Sequence, residues 1–216
     1  MANDKKRGDK RLRIWGRTNS INVQKVLWCC AELGLSFERI DAGMQFGVVD
    51  SAEYRALNPN ALVPTIDDDG FVLWESNVIV RYLAERYGMG ALCPAEQRER
   101  YDAEKWMDWQ TTAVWPAFRA AFMGMVRTPS EKRDQSAIDA SMKETARVLG
   151  ALEEQLGKTS FVGGGRLTMG DIPAGAAIFR CLALGIERKD FPHVARWYDR
   201  LTERPGYREH VMLPLS

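Results

Sequence analysis

Histidine is almost missing from this chain, and cysteine is sparse. The two histidines are His193 and His210, and the four cysteines stand at 29, 30, 93 and 181. No CxxC occurs and no Cys/His set has the spacing of a structural zinc site, so no metal is expected. Four cysteines in 216 residues are too few for a disulfide scaffold, and such usage fits a reducing cytoplasm. An excess of one charge is absent as well: 30 Lys and Arg against 29 Asp and Glu leave +1. That balance argues against bulk electrostatic binding to nucleic acid or to a membrane surface. No apolar run reaches the roughly 20 residues that a bilayer span needs. Residues 172–186 come nearest, with Arg180 as their single charge, and read instead as a helix buried on all sides. Internal repeats and low-complexity segments are lacking too.

Charge is uneven only at the start, where the first thirteen residues hold six basic and two acidic side chains. No apolar stretch follows, so this is not a signal peptide. A nucleic-acid arm is the alternative reading, but no aromatic residue is interleaved with the charges. Residues 1–10 are expected to form a disordered, solubilising basic tail.

What the chain does have is core-forming material, 45 % hydrophobic over 216 residues. That is enough for one large domain or two small ones without staples. Leu12 to Trp15 alternates and reads as a strand. Val23, Val26, Leu27, Cys30 and Leu33 recur at helical spacing after Ser20, and Gly34 closes that helix. Phe37–Ile40 reads as a second strand, and Ala52–Leu57 as a helical turn. Two apolar runs, Val63–Ile66 and Phe71–Trp74, flank Asp67-Asp68-Asp69-Gly70, a hairpin signal. Ser76 is placed as the N-cap of a helix ending at Gly88, with Val80, Leu83 and Tyr87 on its buried face. Beyond Cys93 only helical patterns remain, near 97–115, 134–156, 171–185 and 192–204. Thr168 is expected to cap the third of these, with Asp171 closing a capping box. The order implies an α/β unit over 11–90 and an all-helical unit over 97–216.

Three features of the first unit carry chemistry. The loop Arg17-Thr18-Asn19-Ser20-Ile21-Asn22 enters a helix, whose free N–H groups and partial positive charge suit an anion or thiolate. In Asn58-Pro59-Asn60-Ala61-Leu62-Val63-Pro64, a cis Val63–Pro64 bond would turn the Val63 N–H and C=O outward to pair with an extended peptide. Glu75-Ser76, at the next helix start, suits a small-molecule carboxylate. Taken singly, each has a plain reading as a cap or an ordinary proline loop.

Together, in this order and spacing, NSINVQKV, NPNALVPTI, LWESNVIVRYLAERYG and RLTMGDI make the chain resemble the cytosolic glutathione transferases over nearly its whole length. It is most similar to serine-type bacterial members of theta, zeta or nu kind. The resemblance implies a thioredoxin-like α/β domain followed by an all-α domain. It implies glutathione as co-substrate, a homodimer across the 76–87 and 97–115 helices, and a hydrophobic electrophile as the second substrate. Ser20 would stabilise the glutathione thiolate, with Asn22 beside it. Val63 and Pro64 would hold the cysteinyl part, Glu75 and Ser76 the γ-glutamyl end, and Gln45 the glycyl carboxylate. The chain departs from the tyrosine-type classes, because Trp15-Gly16-Arg17 stands where their catalytic tyrosine lies. Serine rather than cysteine at position 20 separates it from glutaredoxin-like members. Cys29 and Cys30 read as core thiols.

Energetically, Ser20 suffices. Lowering a thiol from about 8.5 by about two units needs about 2.7 kcal/mol. A hydrogen bond to a charged group contributes about 1.5–3 kcal/mol and a helix end about 0.3–1 kcal/mol. No Ser-His-Asp arrangement is readable. Trp15, Trp106, Trp109 and Trp115 are placed at the electrophile side, where core packing is the competing reading. Arg119 and Arg127 read as solvated, with an acidic substrate as the alternative. Conjugation is the leading activity. Glutathione-dependent disulfide reduction on the same site is the first alternative, supported by the Ser20-x-Asn22 pattern. A non-catalytic scaffold is the second, and the intact VP and ES motifs argue against it.

Overall fold

The computed structural model describes residues 12–216; the expected basic tail lies outside the described residues. Strand β1 (Leu12–Trp15) runs parallel to β2 (Phe37–Ile40) and antiparallel to β3 (Thr65–Asp68). Strand β4 (Phe71–Trp74) pairs antiparallel with β3, giving one mixed sheet in the order β2-β1-β3-β4. Helix α1 (Ile21–Glu32) makes the crossover between β1 and β2, and α2 (Ala52–Leu57) and α3 (Ser76–Gly88) complete the unit.

The hairpin is tighter than the sequence implies. Asp67 and Asp68 stay in the ladder, and the turn is Asp69-Gly70 alone, both at positive φ. Such a two-residue turn matches the twist of the strands it joins. Tyr87 also departs from expectation. It is 41 % exposed, because its hydroxyl donates to an Asp68 carboxylate oxygen at 2.7 Å instead of entering the core.

The second part is helical: α4 (Gln97–Trp109), α5 (Trp115–Phe122), α6 (Gln135–Leu156), α7 (Asp171–Ala183), α8 (Pro192–Thr202) and α9 (Pro205–His210). Pro116 does not break the chain's helical course. A wide π-helical turn over Gln110–Val114 precedes it. That widening gives room to the ring, which would otherwise crowd the carbonyl four residues back. A second such turn, Met123–Arg127, follows α5. Helix α9 was not legible as a separate element; Pro205 starts it at a position where a missing N–H costs nothing.

Asp171 rather than Thr168 heads α7. Its carboxylate accepts from Thr168 N–H at 2.8 Å, Val162 N–H at 3.0 Å, the Thr168 hydroxyl at 3.1 Å and Trp197 Nε1 at 2.9 Å. The box is therefore one-sided, since the Asp171 N–H goes to the Thr168 carbonyl. Almost every residue of α7 from Asp171 to Cys181 is buried, as its composition implied. The two parts share one apolar core through α1. Trp28 stacks edge-on against Tyr207 at 4.7 Å, and α7 comes close because residue 175 is glycine. A Cβ there would sit 2.7 Å from Leu201 and 3.0 Å from the Trp28 ring. Among the described residues, no helix is long and apolar enough to cross a membrane.

Candidate functional site

The site is built where three backbone corners meet beside the start of α1. Ser20 is the N-cap residue of α1, in extended conformation, and is 8 % exposed. A capping serine normally accepts a bond from an early helix N–H. Here the side chain makes no such bond, so the hydroxyl is free for another partner. The loop before it is held by Gln24, whose Nε2 donates to the Thr18 carbonyl at 2.8 Å.

The second corner is the loop before β3. The Asn58 amide donates to the Leu62 carbonyl at 2.9 Å and to Thr65 Oγ1 at 3.1 Å. The Tyr54 hydroxyl reaches the same carbonyl at 2.6 Å and the same Oγ1 at 2.8 Å. These bonds fix the segment leading to Val63–Pro64, whose peptide bond is cis. The Val63 side chain and the Arg17 guanidinium both pack over Gly43, where a Cβ would stand 3.5 Å from one and 3.3 Å from the other.

The third corner is the start of α3. Ser76 is the first helical residue, and Glu75, at φ 71, is the N-cap in its place. A non-glycine residue in that conformation carries strain, which tends to persist at ligand sites. Ser76 Oγ donates to Asn22 Oδ1 at 3.3 Å. Lys25 stands behind both, 3 % exposed. Its Nζ donates to Asn22 Oδ1 at 3.1 Å, Asn77 Oδ1 at 3.3 Å and Ser76 Oγ at 3.5 Å. No carboxylate pairs with it among the described residues. Burial, reinforced by Arg180 and partly offset by Glu75, brings its pKa down to about 7. Asn77 also ties this corner to α4 through the Met107 carbonyl at 2.7 Å.

Two cavities of about 380 Å³ each open here, sharing Ile21, Asn22 and Trp115 as a common wall. One is lined by Lys25, Glu75 and Ser76, the other by Ser20. Asn22, Ser20, Glu75 and Ser76 are thus brought together, whereas Gln45, Val63 and Pro64 line neither cavity. Gln45 is exposed on the short 3₁₀ turn Met44–Phe46. Of the four tryptophans, Trp115 lines both cavities. Trp15 is packed with Ala42 and Tyr54 in a small separate cluster, and its place as a strand residue pointing inward explains this. Trp106 stacks edge-on with Trp109 at 5.1 Å and joins the main core. Arg119 is exposed on α5, and Arg127 faces the Ser20 cavity.

Two family models match the chain. The glutathione S-transferase N-terminal domain covers residues 19–86, and the glutathione S-transferase C-terminal domain covers 107–205. The chain belongs to the glutathione S-transferase family. It is 45 % identical over 207 residues to glutathione S-transferase GstB of Escherichia coli K12, spanning 95 % of this chain and all of that one. It is 44 % identical to a theta class glutathione S-transferase from Xanthomonas axonopodis pv. citri solved with glutathione bound. The TM-score is 0.91, over 96 % of this chain and 100 % of that one. A glutathione transferase from Phanerochaete chrysosporium, solved with oxidized glutathione, is 29 % identical with a TM-score of 0.83, over 93 % and 94 %.

In this glutathione S-transferase the residue that sequence reading missed is Lys25. It sits inside NSINVQKV, yet a lone lysine among Val23, Val26 and Leu27 reads as the solvated face of α1. No signal in the sequence marks it: that residues 23–30 of α1 are all buried appears only once the helix is packed. Its three hydrogen bonds, to Asn22, Ser76 and Asn77, place it at the meeting of α1 and α3.

Proposed function

We propose that this glutathione S-transferase binds glutathione across the three corners and holds its sulfur as a thiolate at Ser20. The thiolate then attacks a small electrophile in the cavity beyond. The observation that carries the reading is the Ser20 hydroxyl, placed at a helix N-terminus and bound to no backbone N–H. It donates a hydrogen bond to the sulfur and acts as neither base nor nucleophile. The α1 dipole adds to it. Asn22, two residues on, offers an amide to the same region. Lys25 and Ser76 meet the γ-glutamyl carboxylate, Glu75 its ammonium group, the Val63 backbone the cysteinyl peptide, and Gln45 the glycyl end. The glutathione bound in the Xanthomonas relative supports the ligand.

Reduction of a small disulfide on the same thiolate is the second reading. Asn22 favours it, as does the oxidized glutathione held by the Phanerochaete relative. Steady-state assays separate the two. Wild type is expected to turn over an aryl halide with glutathione, and Ser20→Ala to lose about tenfold or more in kcat, the loss of one charge-assisted hydrogen bond. Turnover of 2-hydroxyethyl disulfide without any aryl transfer assigns the second reading. No glutathione binding at millimolar concentration contradicts both. The working form is a homodimer built across α3 and α4, in the cytoplasm.

A further inference from the structure

The cavity beside Ser20 has an unbalanced wall. Arg17, Arg127 and Arg180 all line it, and no Asp or Glu does. Elsewhere the chain pairs partly buried arginines: Arg39 with Asp41, Arg81 with Glu104 and Asp108, and Arg204 with Glu32. Among the described residues these three have no carboxylate. Arg180, 3 % exposed, donates only to the carbonyls of Ala176 at 3.1 Å and Asn19 at 3.5 Å. Arg127 reaches Met44 Sδ at 3.6 Å. The Arg17 Nε is buried without a partner.

Like charges gathered in a partly desolvated space cost stability unless something supplies the opposite charge. Arg127 acts on both of the other two. Burial first, then Arg127, lowers the Arg17 pKa, and the same two influences help bring Arg180 to about 10. The remaining wall includes the rings of Trp115 and Phe122. The ligand chemistry this arrangement recognises is an apolar or aromatic body bearing an anionic group.

We propose that the second substrate of this enzyme carries a carboxylate or comparable anion, which Arg127 and Arg180 bind while its reactive carbon or sulfur faces Ser20. This rests on the reading of Ser20 as the thiolate site. In the conjugation step the glutathione sulfur forms a C–S bond as the carbon–halogen bond breaks, and the halide leaves with the bonding pair. The thiol proton has already passed to solvent, and the acceptor's anionic group is unchanged. In a disulfide acceptor the glutathione sulfur forms a mixed S–S bond as the acceptor's own S–S bond breaks, and the other half leaves as a thiolate with the bonding pair. Neither step needs a further reactant.

The test uses matched probes with the full-length enzyme: 4-chloro-3,5-dinitrobenzoate against 1-chloro-2,4-dinitrobenzene, each kcat/KM divided by its uncatalysed rate. Wild type should prefer the anionic ring. Arg127→Gln should reduce that preference about tenfold, or about 1.4 kcal/mol, chiefly through the acceptor KM, and Arg127→Lys should restore part of it. The disulfide arm compares 3,3′-dithiodipropionate with 2-hydroxyethyl disulfide, and a charge preference confined to it supports the anion site with a disulfide as its source. Quenching of tryptophan fluorescence by unreactive 3,5-dinitrobenzoate reports the anion site without turnover. Binding that Arg127→Gln weakens supports the inference even if no transfer occurs and the reading of Ser20 fails. Normal transfer to the neutral ring with no charge preference and no benzoate binding overturns it. A rise in the glutathione Kd of Arg127→Gln with the acceptor preference intact also overturns it, by assigning the arginine to glutathione.

Discussion

Lys25 is buried at the start of α1 beside the proposed glutathione site. It is a cation without an ion-pair partner among the described residues, held by three neutral oxygens. A ligand carboxylate arriving at Ser76 would gain a charge-assisted bond and relieve the unpaired charge. Lys25→Met should therefore raise the glutathione Kd about tenfold or more by calorimetry, since bonds to charged groups contribute about 1.5–3 kcal/mol. An unchanged Kd would assign Lys25 to packing alone. Its titration has a second consequence. Its pKa falls from 10.5 to about 7, chiefly by burial. Between those values the folded state binds fewer protons than the unfolded one, so stability from this group rises with pH. The penalty is complete below about 7 and relieved toward 10.5. Unfolding midpoints in urea at pH 7 and pH 9 should climb more steeply for wild type than for Lys25→Met. Parallel slopes would show that Lys25 does not titrate in that window.

At the scale of elements, Asp171 holds the start of α7 by collecting four donors in a buried place. Asp171→Ala strands those donors. The expected cost is about 3 kcal/mol, which for a chain of this size lowers Tm by roughly 6–12 °C. A shift below 2 °C would mean that water or rearrangement satisfies them. Most elements were legible because local signals agreed: alternation in Leu12–Trp15, the 3–4 spacing through Ile138 and Leu149, Gly34 after α1. What was not legible depended on contacts distant in sequence. Ser76 looks like a cap, but the positive φ of Glu75 shifts the helix start by one residue. Tyr87 fits the apolar stripe of α3, but Asp68 across the hairpin draws its hydroxyl outward. The same holds within the site. Ser20, Asn22, Glu75 and Ser76 lie in short motifs and were readable. Lys25 and Arg180 were not, since their placement beside the cavities comes from the meeting of α1, α3 and α7. Trp106 is buried in the core and the half-buried Trp109 packs against it, and neither lines the two cavities.

At the scale of the whole molecule, the two parts are joined through Trp28, Gly175 and Tyr207. The outer face of α3 and α4 leaves Val78 43 % and Tyr101 59 % exposed beside the Arg81–Asp108 ion pair. That mixture of apolar and charged groups suits a self-complementary interface. Sedimentation equilibrium at micromolar concentration should give twice the 24.5 kDa chain mass. A monomer mass would contradict the proposed dimer.

The central claim is that the start of α1, with Ser20 as donor, holds glutathione as a thiolate. An ultraviolet titration of glutathione bound to the protein reads this directly. In wild type the thiolate band should persist to about pH 6.5, about two units below the free thiol, and in Ser20→Ala it should move back toward about 8.5. A wild-type band that vanishes at the free-thiol value, or a Ser20→Ala band that follows wild type, would contradict it.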